Sequence, residues 1–516
     1  MEEFSKIVGA IDSFVWSMWL LIPLLAATGL ILTIRLRGIQ FSKLWPALKL
    51  GLFKRKDPDS EGDISHYQAL TTALAATVGT GNIVGVATAI GAGGPGALFW
   101  MWITGLLGMA SKYSEAFLGS KYRELDAKGE VMGGPQVYLK KAIKGPVGKI
   151  LGVSFAIFGA LAAFGIGNGT QVSSMTKNMQ TAFGIEPLIT GIVIMILVGL
   201  TLIGGIKSIG KVTAAFVPFM IIVYLIAGII VLGLNAGNII PAFGLVFQDA
   251  FTGHAAAGGF LGSTIALAIQ KGMARGIFSN ESGMGSAAIV AAAAQTKHPV
   301  RQGLVSMTQT FIDTIIVVSF TGLVIISSGV WQAGKTVKGA LDKAGNLIAG
   351  NDQIIQLPDG SYQAPGDFQS QLTGYGFGAA FGNQIGFAIV AICIVFFALS
   401  TVIGWAYYGE RCAVSLLGIW AQLPYRVIFT ALIVVWTLFP VTVIWDIADI
   451  LNGLMALPNL IGLIVLSGLI ARETRAYLAK DPDLSQNNVE PEPLKAISVQ
   501  NGKIVWVEAE DHVAKL

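Results

Sequence analysis

The chain has 516 residues, of which 53% are hydrophobic and only 12% charged, and its mean hydropathy is +0.68. That balance excludes an ordinary soluble domain and marks an all-α polytopic membrane protein. A net charge of +4 over many short connections points to no nucleic acid. Cys393 and Cys412 lie in or beside apolar segments, and the four histidines are scattered, so neither disulfide staples nor a metal-ligand spacing is present.

Hydropathy predicts about eleven spans, each near the ~20 residues that a bilayer core requires. The first covers about 15–35, too long for a cleavable leader. Ten more follow near 66–91, 95–122, 148–178, 186–206, 210–235, 258–294, 302–330, 378–409, 424–443 and 446–476. Basic residues sit in alternate connections: Arg35 to Lys56, Lys121 to Lys144, Lys207 and Lys211, Lys297 and Arg301, Arg411 and Arg426, and Arg472 to Lys480. Residues 236–257 contain no Lys or Arg. The positive-inside rule then puts the N-terminus outside and the C-terminus in the cytoplasm.

The first connector, 39–65, alternates Phe41, Trp45 and Phe53 with lysines. It reads either as a helix lying on the inner leaflet or as a plain linker. Residues 236–257 and 331–377 read as outer loops, the second with a short hairpin over 353–363 about Pro358-Asp359-Gly360. The polar tail 481–516 alternates apolar residues about Asn501-Gly502, the pattern of a hairpin.

Two spans are interrupted. The first holds Gly79-Thr80-Gly81-Asn82 near its middle. The second holds Arg275-Gly-Ile-Phe-Ser-Asn-Glu-Ser-Gly-Met-Gly-Ser286 inside continuous Ala/Ile/Leu. Gly81 and Gly85 alone would mean only close helix contact. A second break five spans later changes that reading. Irregular backbone at membrane depth persists only where it is buried in protein or lines a cavity, and broken helices at matching places mark secondary transporters. An odd offset inverts corresponding helices, which fits two five-helix repeats over 66–235 and 258–480, preceded by an extra helix in 1–38.

These motifs, with Gly93-Gly94-Pro95-Gly96-Ala97-Leu98-Phe99-Trp100, resemble the alanine/glycine:cation symporter family over roughly residues 10–480. The resemblance implies the leucine-transporter (LeuT) fold with one added N-terminal helix. It also implies sodium-driven uptake of small neutral amino acids across the cytoplasmic membrane, the inner membrane where there are two. No organic cofactor and no obligatory protein partner are expected, only sodium, the amino acid and the bilayer.

A zwitterion needs partners at both ends. Backbone N–H groups of Thr80 and Gly81, with Asn82 nearby, suit its carboxylate at the positive end of a half-helix. Carbonyls around Phe278, Ser279 and Asn280 suit its ammonium. Trp405, one turn after Thr401, and Phe164 are expected to wall the pocket, with Gln171 as a polar edge; the alternatives are an interface anchor for Trp405 and core packing for Phe164. Adjacent hydroxyls of Ser400 and Thr401 ordinarily bond the preceding turn. The resemblance instead pairs them with carbonyls of Ala75, Val78 and Phe397 as a sodium cage. A second sodium near Thr77 and Asn82 has no support from the residues.

Lys112, Glu115, Lys271, Arg275, Glu281, Asp313 and Asp446 lie inside apolar spans, where charge is normally paired or cavity-facing. They read as structural pairs or gates rather than substrate contacts. Glu281 is left with three roles: pairing with Arg275, supporting the break, or carrying a proton. Proton coupling and a glutamine-type substrate remain alternatives. So do a channel, which wants a continuous polar pore, and a nutrient sensor, which wants a larger soluble domain. No nucleophile–base set suggests an enzyme.

Overall fold

A computed structural model of the chain describes residues 2–54, 57, 60–252, 265–333, 335–341, 347–357, 362–363, 365–439, 441–484, 495–500 and 503–508. Leaving aside the short helices between α2 and α3 and between α5 and α6, the order of helices is α1 (Glu2–Val15), α2 (Leu21–Arg35), α3 (His66–Thr77), α4 (Val86–Gly93), α5 (Gly96–Lys121), α6 (Pro146–Phe183), α7 (Pro187–Ile203), α8 (Gly205–Leu234) and α9 (Ala236–Thr252). Then come α10 (Ile265–Asn280), α11 (Ala287–Ala292), α12 (Pro299–Ser327), α13 (Pro365–Phe381), α14 (Asn383–Leu417), α15 (Gln422–Trp436) and α16 (Val441–Lys480).

The molecule is all-α within the membrane and turned inside out relative to a soluble protein. Ile192, Ile196 and Leu200 on α7, Ile222, Ile226 and Ile229 on α8, and Val427 and Ile428 on α15 face outward. Asn82, Lys112, Glu115, Asn280, Gln309 and Asp313 are buried. Lipid solvates the apolar belt, so polar groups gather where helices meet.

Among the described residues, six helices are long and apolar enough to cross a bilayer, and the bent pair made by α3 with the segment Gly81–Gly93 supplies a seventh. Eleven spans are not reached that way, for local reasons. Helices α2 and α7 have 15 and 17 residues, α5 carries Lys112 and Glu115 in its interior, and α10–α11 is interrupted by irregular chain.

Three expectations for the connections are corrected. The first span is preceded by a separate helix, α1, and the chain turns at residues 16–20 before α2. The stretch 236–257 is no loop as far as Thr252: α9 buries Ala242, Val246, Asp249 and Ala250 and exposes Ile240, Phe247 and Phe251. That is helical periodicity, hidden by Asn235, Gly237 and Pro241. In 331–377, helix α13 already begins at Pro365.

Strands are few. Chains β1 (Glu124–Leu125) and β2 (Val131–Met132) pair antiparallel. The three-stranded sheet β3 (Lys335–Leu341), β4 (Leu347–Gln356), β5 (Tyr362–Gln363) carries the pairs Ile355↔Gln363 and Gln356↔Tyr362, and the turn at 358–361 lies outside the described residues. Tail strands β6 (Lys495–Gln500) and β7 (Lys503–Glu508) pair antiparallel, and β6 runs parallel to β1. Residues 501–502 lie outside the described chain. Phe41, Trp45 and Phe53 of the connector are exposed, while Ile39, Ala47 and Leu50 face the protein.

Candidate binding site at the helix breaks

Helix α3 starts at a capping box, in which Ser65 Oγ accepts the Gln68 N–H and Gln68 Oε1 accepts the Ser65 N–H. It stops at Val78, whose ψ of 85° turns its carbonyl off the helical path. A π-helical turn, Gly81–Gly85, restarts the chain, and the two halves meet at 52°. Asn82 holds the break from within: its Oδ1 accepts the Gly79 N–H at 2.9 Å. The Thr80 N–H donates to Gln171 Oε1 at 3.1 Å.

Gln171 reaches that point because α6 also contains a π turn, Gly165–Gly169. Its Nε2 donates to the carbonyl of Ile166, a residue of that turn, at 3.0 Å. A third π turn, Phe311–Val318 in α12, packs on the first and presents Asp313. Single π turns inside helices commonly mark functional sites. Here the first and third pack together, and Gln171, just after the second, reaches Thr80 beside the first.

The second break spans Glu281 to Ser286, with left-handed backbone at Glu281 (φ 55°), Gly283 (φ 89°) and Gly285 (φ 82°). Positive φ is rare for a residue such as glutamate, and the surroundings hold it there. Glu281 Oε1 accepts from Trp405 Nε1 and Oε2 from Ser286 Oγ, both at 2.6 Å, and its carbonyl accepts from Lys112 Nζ at 3.0 Å. Glu115 Oε1 accepts the Gly285 N–H at 3.0 Å and Asn459 Nδ2 at 2.8 Å.

The two breaks touch. A methyl on Gly81 would stand 3.0 Å from Ser279 Cα and 3.1 Å from Phe278 Cδ1. Asp313 joins them, with Oδ1 accepting from Asn82 Nδ2 at 2.8 Å and Oδ2 from Ser279 Oγ at 3.0 Å. Asn280 Nδ2 donates to Thr314 Oγ1 at 3.0 Å.

On the other side of α3, Thr401 Oγ1 lies 3.0 Å from the Ala75 carbonyl and 3.1 Å from that of Phe397. Ser400 Oγ lies 2.8 Å from the Phe397 carbonyl and 3.3 Å from that of Ala75. The hydroxyls therefore both bond their own helix and bridge to α3. Gly404 permits the approach, since a side chain there would strike Ala76 at about 3 Å. Oxygens of Ala75, Phe397, Ser400 and Thr401 thus converge, with Val78 buried alongside.

Most of the expected residues come together: Thr80, Gly81, Asn82, Gln171, Phe278, Ser279 and Asn280 at the breaks, and Ala75, Phe397, Ser400 and Thr401 beside them. Phe164 goes elsewhere, its ring stacked on Tyr425 at 4.9 Å and leaning on Phe429 at 6.0 Å. Trp405 is fully buried and bonded to Glu281. Glu281 does not pair with Arg275, which instead clasps Asp449 at 2.8 Å and lies over the Phe278 and Trp445 rings. Asp313 and Gln309 were not anticipated as site residues. A carboxylate amid the apolar run from Phe311 to Val318 was the available signal for the first.

The family model described as the sodium:alanine symporter family matches residues 1–491. The sodium/alanine symporter AgcS of Methanococcus maripaludis is 48% identical over 477 residues, covering 92% of this chain and 97% of its own. The putative sodium/proton-dependent alanine carrier protein YrbD of Bacillus subtilis is 34% identical, over 89% and 90% of the two chains. The probable sodium/glutamine symporter GlnT of Bacillus subtilis is 32% identical, over 93% of each.

Proposed function

Because this chain belongs to the sodium:alanine symporter family, a family of transporters and not of enzymes, we propose that it carries a small neutral amino acid, alanine or glycine, into the cell with sodium. The carrying observation is the junction of the two breaks: interrupted backbone from two helices, closed by Asn82, Gln171, Ser279 and Asp313, with the Ala75–Phe397–Ser400–Thr401 oxygens one step away along α3.

The amino acid's carboxylate takes the N–H groups of Thr80 and Gly81, displacing Gln171 Oε1, and its ammonium takes oxygens around Phe278–Asn280. Sodium takes the oxygens of Ala75, Val78, Phe397, Ser400 and Thr401. A cation bridging α3 and α14 fixes the helix that ends in the first break, so sodium pre-organises the amino-acid pocket. The close contact of Gly81 with Ser279 and Phe278 favours a small side chain over a glutamine-type substrate.

The chain would form a LeuT-like pair of inverted five-helix repeats, 66–235 and 258–480, behind an extra N-terminal segment, 1–38, that holds α1 and α2, working by alternating access in the inner membrane. The N-terminus is outside and the tail 481–516 cytoplasmic, as the basic loops require. Purified protein in proteoliposomes tests the function. Labelled L-alanine should accumulate under an inward sodium gradient, glycine should compete better than glutamine, and Thr401→Ala should shift sodium activation upward. Accumulation driven only by a proton gradient would overturn the sodium assignment.

A further inference from the structure

Residues 35–56 contain seven basic residues and no acidic one. The fold turns that run into a surface. After α2 ends at Arg35, left-handed backbone at Arg37 (φ 55°) and Gly38 (φ 65°) turns the chain into the short helices Ile39–Ser42 and Leu44–Leu48 and the π turn Lys49–Lys54. Phe41, Trp45, Lys49 and Phe53 recur at every fourth residue and are all exposed, the three aromatic residues by 65%, 71% and 72%. Ile39, Ala47 and Leu50 face the protein instead. A methyl on Gly51 would stand 3.0 Å from Leu70 Cδ2 and 3.3 Å from Val305 Cγ1. The connector is therefore seated on α3 and α12, with its aromatic face left outside.

The cations around that face lack counter-charges. Arg35, Arg37 and Lys49 are exposed and pair with no carboxylate among the described residues. Lys43 and Lys54 donate to the Pro482 and Leu484 carbonyls at 2.8 and 3.2 Å. Helix α16 brings more positive charge to the same place. A methyl on Gly468 would stand 3.1 Å from Arg35 Nη1, and Arg472 and Arg475 follow Gly468 on the same helical face. Both are exposed, and the carboxylate between them, Glu473, is taken by Lys121 at 2.9 Å. Exposed Leu30 and Ile34 precede these arginines on α2, and Ile461 and Val465 precede them on α16. The cations thus stand where the lipid-facing belt stops. Like charges gathered in this way repel one another unless an anion joins them.

We propose that Arg35, Arg37, Lys49, Arg472 and Arg475 bind the phosphate groups of anionic phospholipids in the adjoining leaflet. Phe41, Trp45 and Phe53 sink between the headgroups beside them, the level that aromatic rings favour. The planar guanidinium fork suits phosphate oxygens, and each cation near an anionic surface strengthens the attachment about fivefold. The occupant is lipid and not a soluble acidic protein, because the exposed rings continue the lipid-facing belt. Only the identity of the leaflet, the inner one, rests on the orientation proposed above. A lipid held here is held against the base of the first broken helix. Gly51 lies against Leu70 of α3, and Asp57, further along the connector, meets Arg301 at 2.7 Å and His66, the first residue of α3, at 3.0 Å.

The test uses the full-length protein in phosphatidylcholine nanodiscs doped with a phospholipid brominated on its acyl chains. The brominated lipid carries either a phosphatidylglycerol or a phosphatidylcholine headgroup. Bromine quenches nearby tryptophan, and subtracting the signal of Trp45→Phe isolates Trp45. Its quenching should be several-fold stronger with brominated phosphatidylglycerol, and the excess should fade as salt rises. The double variant Arg35→Gln/Arg472→Gln should remove most of the excess and Lys49→Gln part of it. The salt series needs no variant, so it decides the matter even where a substitution disturbs folding. Equal quenching by the two headgroups in wild type would mean that the rings sit in any lipid, and it overturns the proposal. An excess that survives both high salt and the double variant overturns it too. The readout needs no substrate, so a failure of alanine uptake would strike the transport reading and leave this one standing.

Discussion

Replacing Gly79 with alanine probes the seam between the first break and the proposed sodium cage. The added methyl would lie 2.4 Å from Thr401 Oγ1, 3.0 Å from Gln171 Oε1 and 3.3 Å from Thr401 Cβ. Ordinary contact needs about 3.5 Å, so one side must retreat by about 1 Å. Thr401 has little room to do so: its β-branched side chain is stiff, and its hydroxyl is fixed against the Ala75 and Phe397 carbonyls. Overpacking of this kind costs about 1–3 kcal/mol. If the strain falls on the sodium-bound arrangement, apparent sodium affinity drops roughly 5–150-fold. The assay is the sodium dependence of alanine uptake in proteoliposomes, with Gly85→Ala as the control. A methyl on Gly85 meets nothing nearer than 4.0 Å, so its sodium curve should overlay that of wild type. Equal sodium curves for Gly79→Ala and wild type would refute the proximity argument.

Glu281→Gln keeps the shape that meets Trp405 and Ser286 but loses the charge; uptake should fall while its dependence on pH keeps the wild-type form. A flattened pH profile would make Glu281 a proton carrier instead of a support. Burial pushes the Asp57 carboxyl up, but hydrogen bonds from His66 and Arg301 outweigh it and hold it well below the usual carboxylate range. Asp57→Asn takes from the buried Arg301 its closer carboxylate and leaves it Asp481 at 3.5 Å, so thermal unfolding in detergent should report a loss of about 3 kcal/mol, the lower end for breaking a buried pair. Burial, with Lys121, Arg301 and Lys480 nearby, holds the His298 imidazole down to about 4. A lowered folded value means stability that is present above about 6.5 and declines as pH falls toward 4. Wild type should therefore melt lower at acid than at neutral pH, and His298→Asn, which retains a capping side chain, should lose part of that difference; an identical pH dependence would contradict it.

Much of the site was legible because its grammar is local. Gly79 to Asn82 and Arg275 to Ser286 stand out as polar, glycine-rich interruptions of apolar runs, and helix breaking follows from the residues themselves. The neighbours Ser400 and Thr401 were visible for the same reason. What the sequence concealed depends on rotation and on long-range packing. Trp405 was placed on the right helix, yet its Nε1 bond to Glu281 joins residues 124 apart. Phe164 lies beside a glycine-rich π turn, but α15 captures its ring. Asp313 reads as one more buried charge until Asn82 and Ser279 arrive from two other helices. Helix α9 escaped notice because Asn, Gly and Pro near its start resemble a loop, whereas its periodicity becomes evident only further along.

On the proposed function, the oxygens between α3 and α14 and the break beside them act as one unit. Equilibrium binding of labelled L-alanine across a range of sodium concentrations tests it most directly, in wild type and in Thr401→Ala. Alanine affinity should rise with sodium in wild type, sodium affinity should rise equally with alanine, and Thr401→Ala should weaken both effects together. Alanine binding that ignores sodium in wild type, or a linkage untouched by Thr401→Ala, would contradict it.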